Sequence, residues 1–238
     1  MFPRLWIKEI KPIDLEGGYL IDGFPSIGFT SAIASESLMH SAPYELVGFI
    51  DSFDFPTVSI IKDGVPNYAT RIFVNKDLKV GVFTSYLTIS EPHHRTIARL
   101  MLKWAKKHKC SLIVSSAPMR MPTENTNQVI AAGSTDEARE KIKQAGMTVL
   151  QNGTIPGVPG ALLNEGMLNG QNVVVILVDV DASGPDFKSS VNLCMAMSKL
   201  LPGVSCDLGL MQKQTEMVEK EIREREKETS AIKKSMYG

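Results

Sequence analysis

Two apolar runs constrain the fold of this chain more than any other feature. Val173 to Val180 is its most apolar stretch, and Ser111 to Ser116 (SLIVSS) has the length and β-branched content of a fully buried strand. Strands buried on both faces read as continuous apolar runs, and they occur where helices cover both sides of a parallel sheet. Helical segments lie between and around them. Phe29 to His40 carries small Ala32 and Ala34 for close packing. Pro92 to about Lys107 turns Ile97, Leu100, Met101 and Trp104 inward and its basic residues outward. Thr135 to Ala145 is expected to start at a Ser134 cap, with Glu137 at capping-box spacing, and to stop at Gly146. Gly157 to about Met167 and Asp186 to Leu201 follow, the latter with Val191, Met195 and Met197 toward the core.

Further strands are expected at Trp6–Ile10, Gly18–Asp22, Val47–Ile50, Leu78–Ser85 and, briefly, Gln128–Ala132. Val58–Lys62 and Ala69–Val74 read as an antiparallel hairpin turning at Asp63-Gly64. Alternation of strands and helices with one inserted hairpin predicts an α/β core with a mostly parallel sheet.

The 238 residues carry 26 basic and 26 acidic side chains, so charge supplies no general drive toward nucleic acid or an anionic membrane. No segment reaches the roughly 18 apolar residues of a membrane span, and MFPRLWIKEI lacks the features of a signal peptide. Cytoplasmic placement is the expectation. Cys110, Cys194 and Cys206 are odd in number and widely spaced, which predicts buried free thiols in a reducing compartment.

Few residues suggest catalysis. Gly23-Phe-Pro-Ser-Ile-Gly28 joins a strand to a helix, where backbone N–H groups can face a phosphate. The glycines serve equally to let the turn pack tightly, and neither the dinucleotide fingerprint nor a P-loop lysine is present. Asp179, Asp181 and Asp186 follow the Val173 strand at the edge where α/β proteins bind ligands. They can serve acid–base work, or Asp181 and Ser183 can satisfy loop amides while Asp186 caps the next helix. His93 and His94 point to different helix faces and cannot share a metal, and Ser26 lacks a nucleophile-elbow context. No metal, cofactor or catalytic residue is predicted.

The last thirty residues differ from the rest. Between Gly209 and Gly238 there is no proline or glycine, and Met211, Thr215, Val218, Ile222, Arg225, Thr229 and Ile232 form a thin heptad seam. Glu216–Lys220, Glu219–Arg223 and Glu221–Arg225 sit one turn apart in the favourable order. A solvated helix is expected, with Met211, Val218, Ile222 and Ile232 as its contact edge and a frayed end after Ser230. Met236-Tyr237-Gly238 has the form hydrophobic–tyrosine–any residue at a carboxyl terminus. It resembles the tails by which proteasome activators and assembly factors enter pockets between proteasome α subunits.

The Gly23–Gly28 turn, its small-residue helix and Asp51-Ser-Phe-Asp-Phe-Pro56 together resemble the proteasome assembly chaperone family and its archaeal homologues. Leu102-Lys-Trp-Ala105, Leu112-Ile-Val-Ser-Ser116 and Gly157-Val-Pro-Gly160 match later landmarks, so the likeness spans about residues 5 to 208. One departure is Ser26, where the family usually has glycine. The resemblance implies a three-layer α/β/α core similar to nucleoside phosphorylases without their active site. It further implies a non-enzymatic homo-oligomer without cofactors. In that reading residues 1–208 are the body and 209–238 a stalk. Met236 is the anchor, Tyr237 the hydroxyl-bearing ring and Gly238 the carboxylate that docks between α subunits. Two rival readings are a same-family scaffold whose stalks grip another protein, and a phosphorylase-type enzyme using the 23–28 loop with Asp179 or Asp181.

Overall fold

The computed structural model describes residues 5–62, 64–119, 129–180, 184–209, 211–213 and 216. Along the chain, β1 (Leu5–Glu9), β2 (Tyr19–Gly23), α1 (Thr30–Ser41) and β3 (Glu45–Ser52) come first. β4 (Ser59–Lys62), β5 (Val65–Tyr68), β6 (Thr70–Asn75), β7 (Val80–Ser85) and α2 (His94–Lys107) follow. β8 (Leu112–Pro118), β9 (Ile130–Gly133), α3 (Asp136–Gln144), β10 (Thr148–Val149), α4 (Gly157–Asn169), β11 (Val173–Val178) and α5 (Phe187–Leu200) complete it.

Among the described residues one sheet of nine strands runs in the order β1-β3-β6-β7-β2-β8-β11-β9-β10. Its centre, β7-β2-β8-β11, is parallel throughout. The flanks are antiparallel where β1, β3, β6 and β7 meet and where β11 meets β9. Alternation along the central strands sorts their side chains into two cores. Ile21, Leu112, Val114, Val174 and Ile176 pack under α1, α3 and α5, whereas Leu20, Ile113, Val173 and Val175 pack under α2 and α4. The result is the three-layer α/β/α body expected, with both apolar runs in its parallel centre.

The hairpin differs from expectation. Lys62 pairs directly with Val65, so β4 folds back on β5 and not on 69–74. A two-residue connection forces pairing to begin at once. β6 instead lies between β3 and β7 in the main sheet. The α3 cap also moves by one residue. Thr135 Oγ1 accepts from Ala138 N at 3.0 Å, while Ser134 Oγ joins Gln171 O (2.7 Å) to Val173 N (2.8 Å). Met195 is 52% exposed on the outer side of α5.

Two of the three expected free thiols are joined. Cys194 and Cys206 form a disulfide, because the turn after α5 returns the chain to within 6.0 Å Cα–Cα of Cys194. Only Cys110 remains a thiol, and burial pushes it up to about 12. No described helix is long and apolar enough to cross a membrane.

Candidate functional site at the carboxyl edge of the sheet

The four central strands run parallel, so the segments leaving β2, β7, β8 and β11 open on one edge of the sheet. β3 reaches the same edge, since two antiparallel steps through β6 restore its direction to that of β7. Ligand sites of α/β folds lie at such an edge.

Asp22 ends the apolar part of β2 and is buried. Its carboxylate accepts from Ser115 Oγ at 2.6 Å and from Phe24 N at 3.2 Å. Burial outweighs both hydrogen bonds and raises the group from 3.8 to about 6. In the sequence the one sign of Asp22 is an acid inside the run Tyr-Leu-Ile-Asp-Gly, too slight to single it out without the fold.

Beyond it the Gly23–Gly28 turn is tied up internally. Four hydroxyls form a chain from Ser116 to Ser31 (2.5 Å), Ser31 to Ser26 (3.0 Å), Ser26 to Thr30 (3.0 Å) and Thr30 to Ile27 O (3.4 Å). Each hydroxyl proton can thereby be used once, and Ser26 Oγ also accepts from Ser31 N at 3.3 Å. Gly28 adopts φ 66° and offers its carbonyl to Asp186 N at 3.0 Å. A Cβ on Gly23 would stand 2.6 Å from Ser35 Oγ and 2.8 Å from Phe83 O. These are the contacts of a turn packed tightly against its own body. They support the packing reading of the glycines over a phosphate cradle.

Of the acidic trio, Asp186 caps α5: its Oδ1 accepts from Ser189 N at 2.9 Å and its Oδ2 from Ser189 Oγ at 2.7 Å. Ser189 Oγ also meets the main-chain oxygen of Asp179. Asp181 and Ser183 lie outside the described residues.

Among the described residues, the nearest approach to a nucleophile and base is a pair that the sequence does not single out. Ser90 Oγ lies 2.7 Å from His93 Nδ1, and Asp54 Oδ2 lies 3.6 Å from His93 Nε2. Phe55 covers the imidazole at 5.7 Å between ring centroids. Ser90 and His93 are one helical turn apart at the entry to α2, and the Asp54 separation exceeds a hydrogen bond, so the arrangement acts as a helix-entry clasp. His94 turns away to Ile89 O at 2.9 Å, separating the two histidines as their spacing predicts. Among the described residues no three His, Cys, Asp or Glu side chains are grouped to hold a metal ion.

The predicted contact residues fall mostly outside what is described. Val218, Ile222, Ile232, Met236, Tyr237 and Gly238 are all beyond it. Met211 is within it, and it differs from a stalk-edge residue. It is fully buried in the core shared by α1 and α5, and its N–H donates to Asp207 O at 3.0 Å. An apolar side chain so placed fixes the base of the helix to the body and is not offered to a partner.

A family model, the PAC2 family, matches residues 20–226 of the chain. The chain belongs to the PAC2 family. An uncharacterised protein of Methanocaldococcus jannaschii is 21% identical over 224 residues, covering 94% of this chain and 92% of that protein. Among solved structures, Pyrococcus furiosus PbaA, described as an archaeal homologue of proteasome-assembly chaperone, matches this PAC2 body at TM-score 0.80 and 23% identity. The match covers 95% of this chain and 99% of PbaA. Pyrococcus furiosus PbaB, described as an archaeal proteasome activator, matches at TM-score 0.74 and 20% identity, over 95% and 100% of the two chains. The PAC2 fold is therefore shared along nearly the whole chain.

Proposed function

We propose that this PAC2 protein is a non-enzymatic, homo-oligomeric chaperone-like factor that docks its carboxyl-terminal tail between proteasome α subunits. The observation that carries the reading is membership of the PAC2 family together with the closing sequence Met236-Tyr237-Gly238. A tyrosine offers a flat apolar body and a hydroxyl, and the terminal carboxylate can pair with a lysine. One tripeptide buries little surface, so several tails on one oligomer raise the effective concentration of the second and later docking events. The interior hydrogen bonding of the 23–28 turn favours a structural role for that loop over a phosphate-binding one.

A second reading keeps the family and changes the partner. The family match stops at residue 226 and leaves the closing tripeptide outside it, which is compatible with a scaffold whose stalk grips a different protein. Native mass spectrometry of the full chain and of a form ending at Ser235, each mixed with proteasome α subunits, separates the two. Binding by the full chain alone is the expected result. Equal binding by both forms would remove the tail from the mechanism, and binding by neither would favour the scaffold.

A further inference from the structure

After α5 the chain turns at Gly203 and returns along α1. Ser41 Oγ donates to Ser205 O at 2.9 Å. One turn earlier on α1, Ser37 Oγ donates to Asp207 O at 3.1 Å and accepts from Asp207 N at 3.1 Å. The segment thus runs antiparallel to α1, and Met211 joins the buried cluster that contains Ile33, Ala34 and Leu38. Beyond Leu201, Val204 and Met211 are the buried apolar side chains of the described segment, while Pro202, Gly203, Ser205, Asp207, Leu208 and Gly209 are exposed. A stretch with so few buried side chains belongs to the part of a fold that opens before the rest.

The Cys194–Cys206 bond crosses this seam. Cys194 is fully buried on α5, whereas Cys206 is half-buried between two exposed residues, so the bond is approached from the Cys206 side. Cys110 packs against the other core, across the sheet, and cannot exchange with the pair. With the bond in place, Met211 lies five residues from a covalent anchor and reseats as a tethered group at high effective concentration. Without it the nearest anchor is the end of α5 at Leu201, and Val204, the Asp207 hydrogen bonds and Met211 can lift together.

We propose that Cys194–Cys206 is a redox-reversible latch: oxidised, it seats residues 204–213 on α1 and α5, and reduced by a dithiol, it lets that segment leave the body. One thiolate of the dithiol attacks Cys206 Sγ, the Cys194–Cys206 bond breaks, and Cys194 leaves as a thiolate that takes up a proton. The second thiolate of the reductant then displaces Cys206, which is protonated in turn. Two electrons and two protons pass to the protein, and the reductant becomes a disulfide. The Cys194 thiol so formed faces the Ala34 carbonyl at 4.0 Å, an acceptor for its weak S–H donor, so α5 keeps its place. This latch goes beyond the docking reading and stands whether or not the tail docks, because it acts on residues 204–213.

The test is amide hydrogen exchange of the full chain, oxidised with glutathione disulfide, then reduced with dithiothreitol under native conditions, then reoxidised. Cys206→Ser serves as a permanently open form, and thiol titration verifies each state. The reporters are the Val204, Asp207 and Met211 amides, with Val174 and Ile176 in β11 as the reference. On reduction the three reporters are expected to exchange about tenfold faster or more while the β11 amides stay unchanged, and reoxidation restores protection. Cys206→Ser is expected to match the reduced chain. Equal exchange in the two states overturns the latch. So does an equal acceleration in β11, which would make the bond a staple of the whole fold. Failure of the native chain to form the bond, or of dithiothreitol to open it, overturns it as well.

Discussion

The Asp22 carboxylate accepts a 2.6 Å hydrogen bond from Ser115 Oγ between two central parallel strands, where neither residue reaches solvent. Burial raises this acid from 3.8 to about 6, so between those values the folded chain holds a proton that the unfolded chain has released. Stability must therefore fall as pH rises through that window, by at most about 3 kcal/mol from this group. Denaturant unfolding between pH 4 and pH 7, compared with Asp22→Asn, isolates the effect. The difference in stability, wild type minus variant, is expected to shrink with rising pH. A pH-independent difference would show that Asp22 is not perturbed.

Joining Cys194 to Cys206 closes a short loop, with 12 residues of sequence separation, between α5 and the segment leading to Met211. Loop-closure entropy for that length is worth about 3 kcal/mol. Reductant or Cys206→Ser is expected to lower Tm by several degrees without unfolding the body at room temperature. Thiol titration of the oxidised native chain should find no fast-reacting group, because the Cys110 thiol is pushed up to about 12. One thiol per chain should appear on unfolding without reductant.

Gly23 is required by proximity. Gly23→Ala drives a methyl group into Ser35 Oγ and the Phe83 carbonyl, both closer than 3 Å. The backbone carbonyl cannot swing away as a side-chain tip can, so a loss of about 1–3 kcal/mol is expected in equilibrium unfolding. A neutral outcome would show that β2 and α1 separate more easily than their packing implies.

Ser134 and Thr135 should respond differently to alanine. Thr135→Ala removes a helix cap and should cost about 1 kcal/mol. Ser134→Ala strips the buried Val173 N–H of its acceptor and the Gln171 carbonyl of a donor, which should cost about 1–3 kcal/mol. Parallel denaturation curves of the two variants decide this ranking.

Several of these positions show where sequence patterns stop. The parallel centre was legible because a strand covered on both faces reads as a near-continuous apolar run, and Val173 to Val178 meets that condition without context. Asp186 was legible as a cap because capping is local. Ser134 and Thr135 are adjacent and chemically alike, and only the position of Val173 assigns one to the sheet and the other to the helix. The hairpin partner was misread for a similar reason. Both 65–68 and 69–74 can form strands, and the competition of β3 and β7 for the second segment is a long-range matter.

By itself the sequence determined the alternation of strands and helices, the apolar parallel centre, the neutral charge and the composition of the tail, all properties of local pattern. Tertiary structure alone decided the burial of Asp22, the pairing of Cys194 with Cys206, the loss of Met211 into the body and the placing of the Phe73 and Tyr86 rings on Arg71. Each of these joins residues whose spacing carries no mark of the encounter. Burial and proximity are set by the order of strands in the sheet, which emerges only when the whole chain packs.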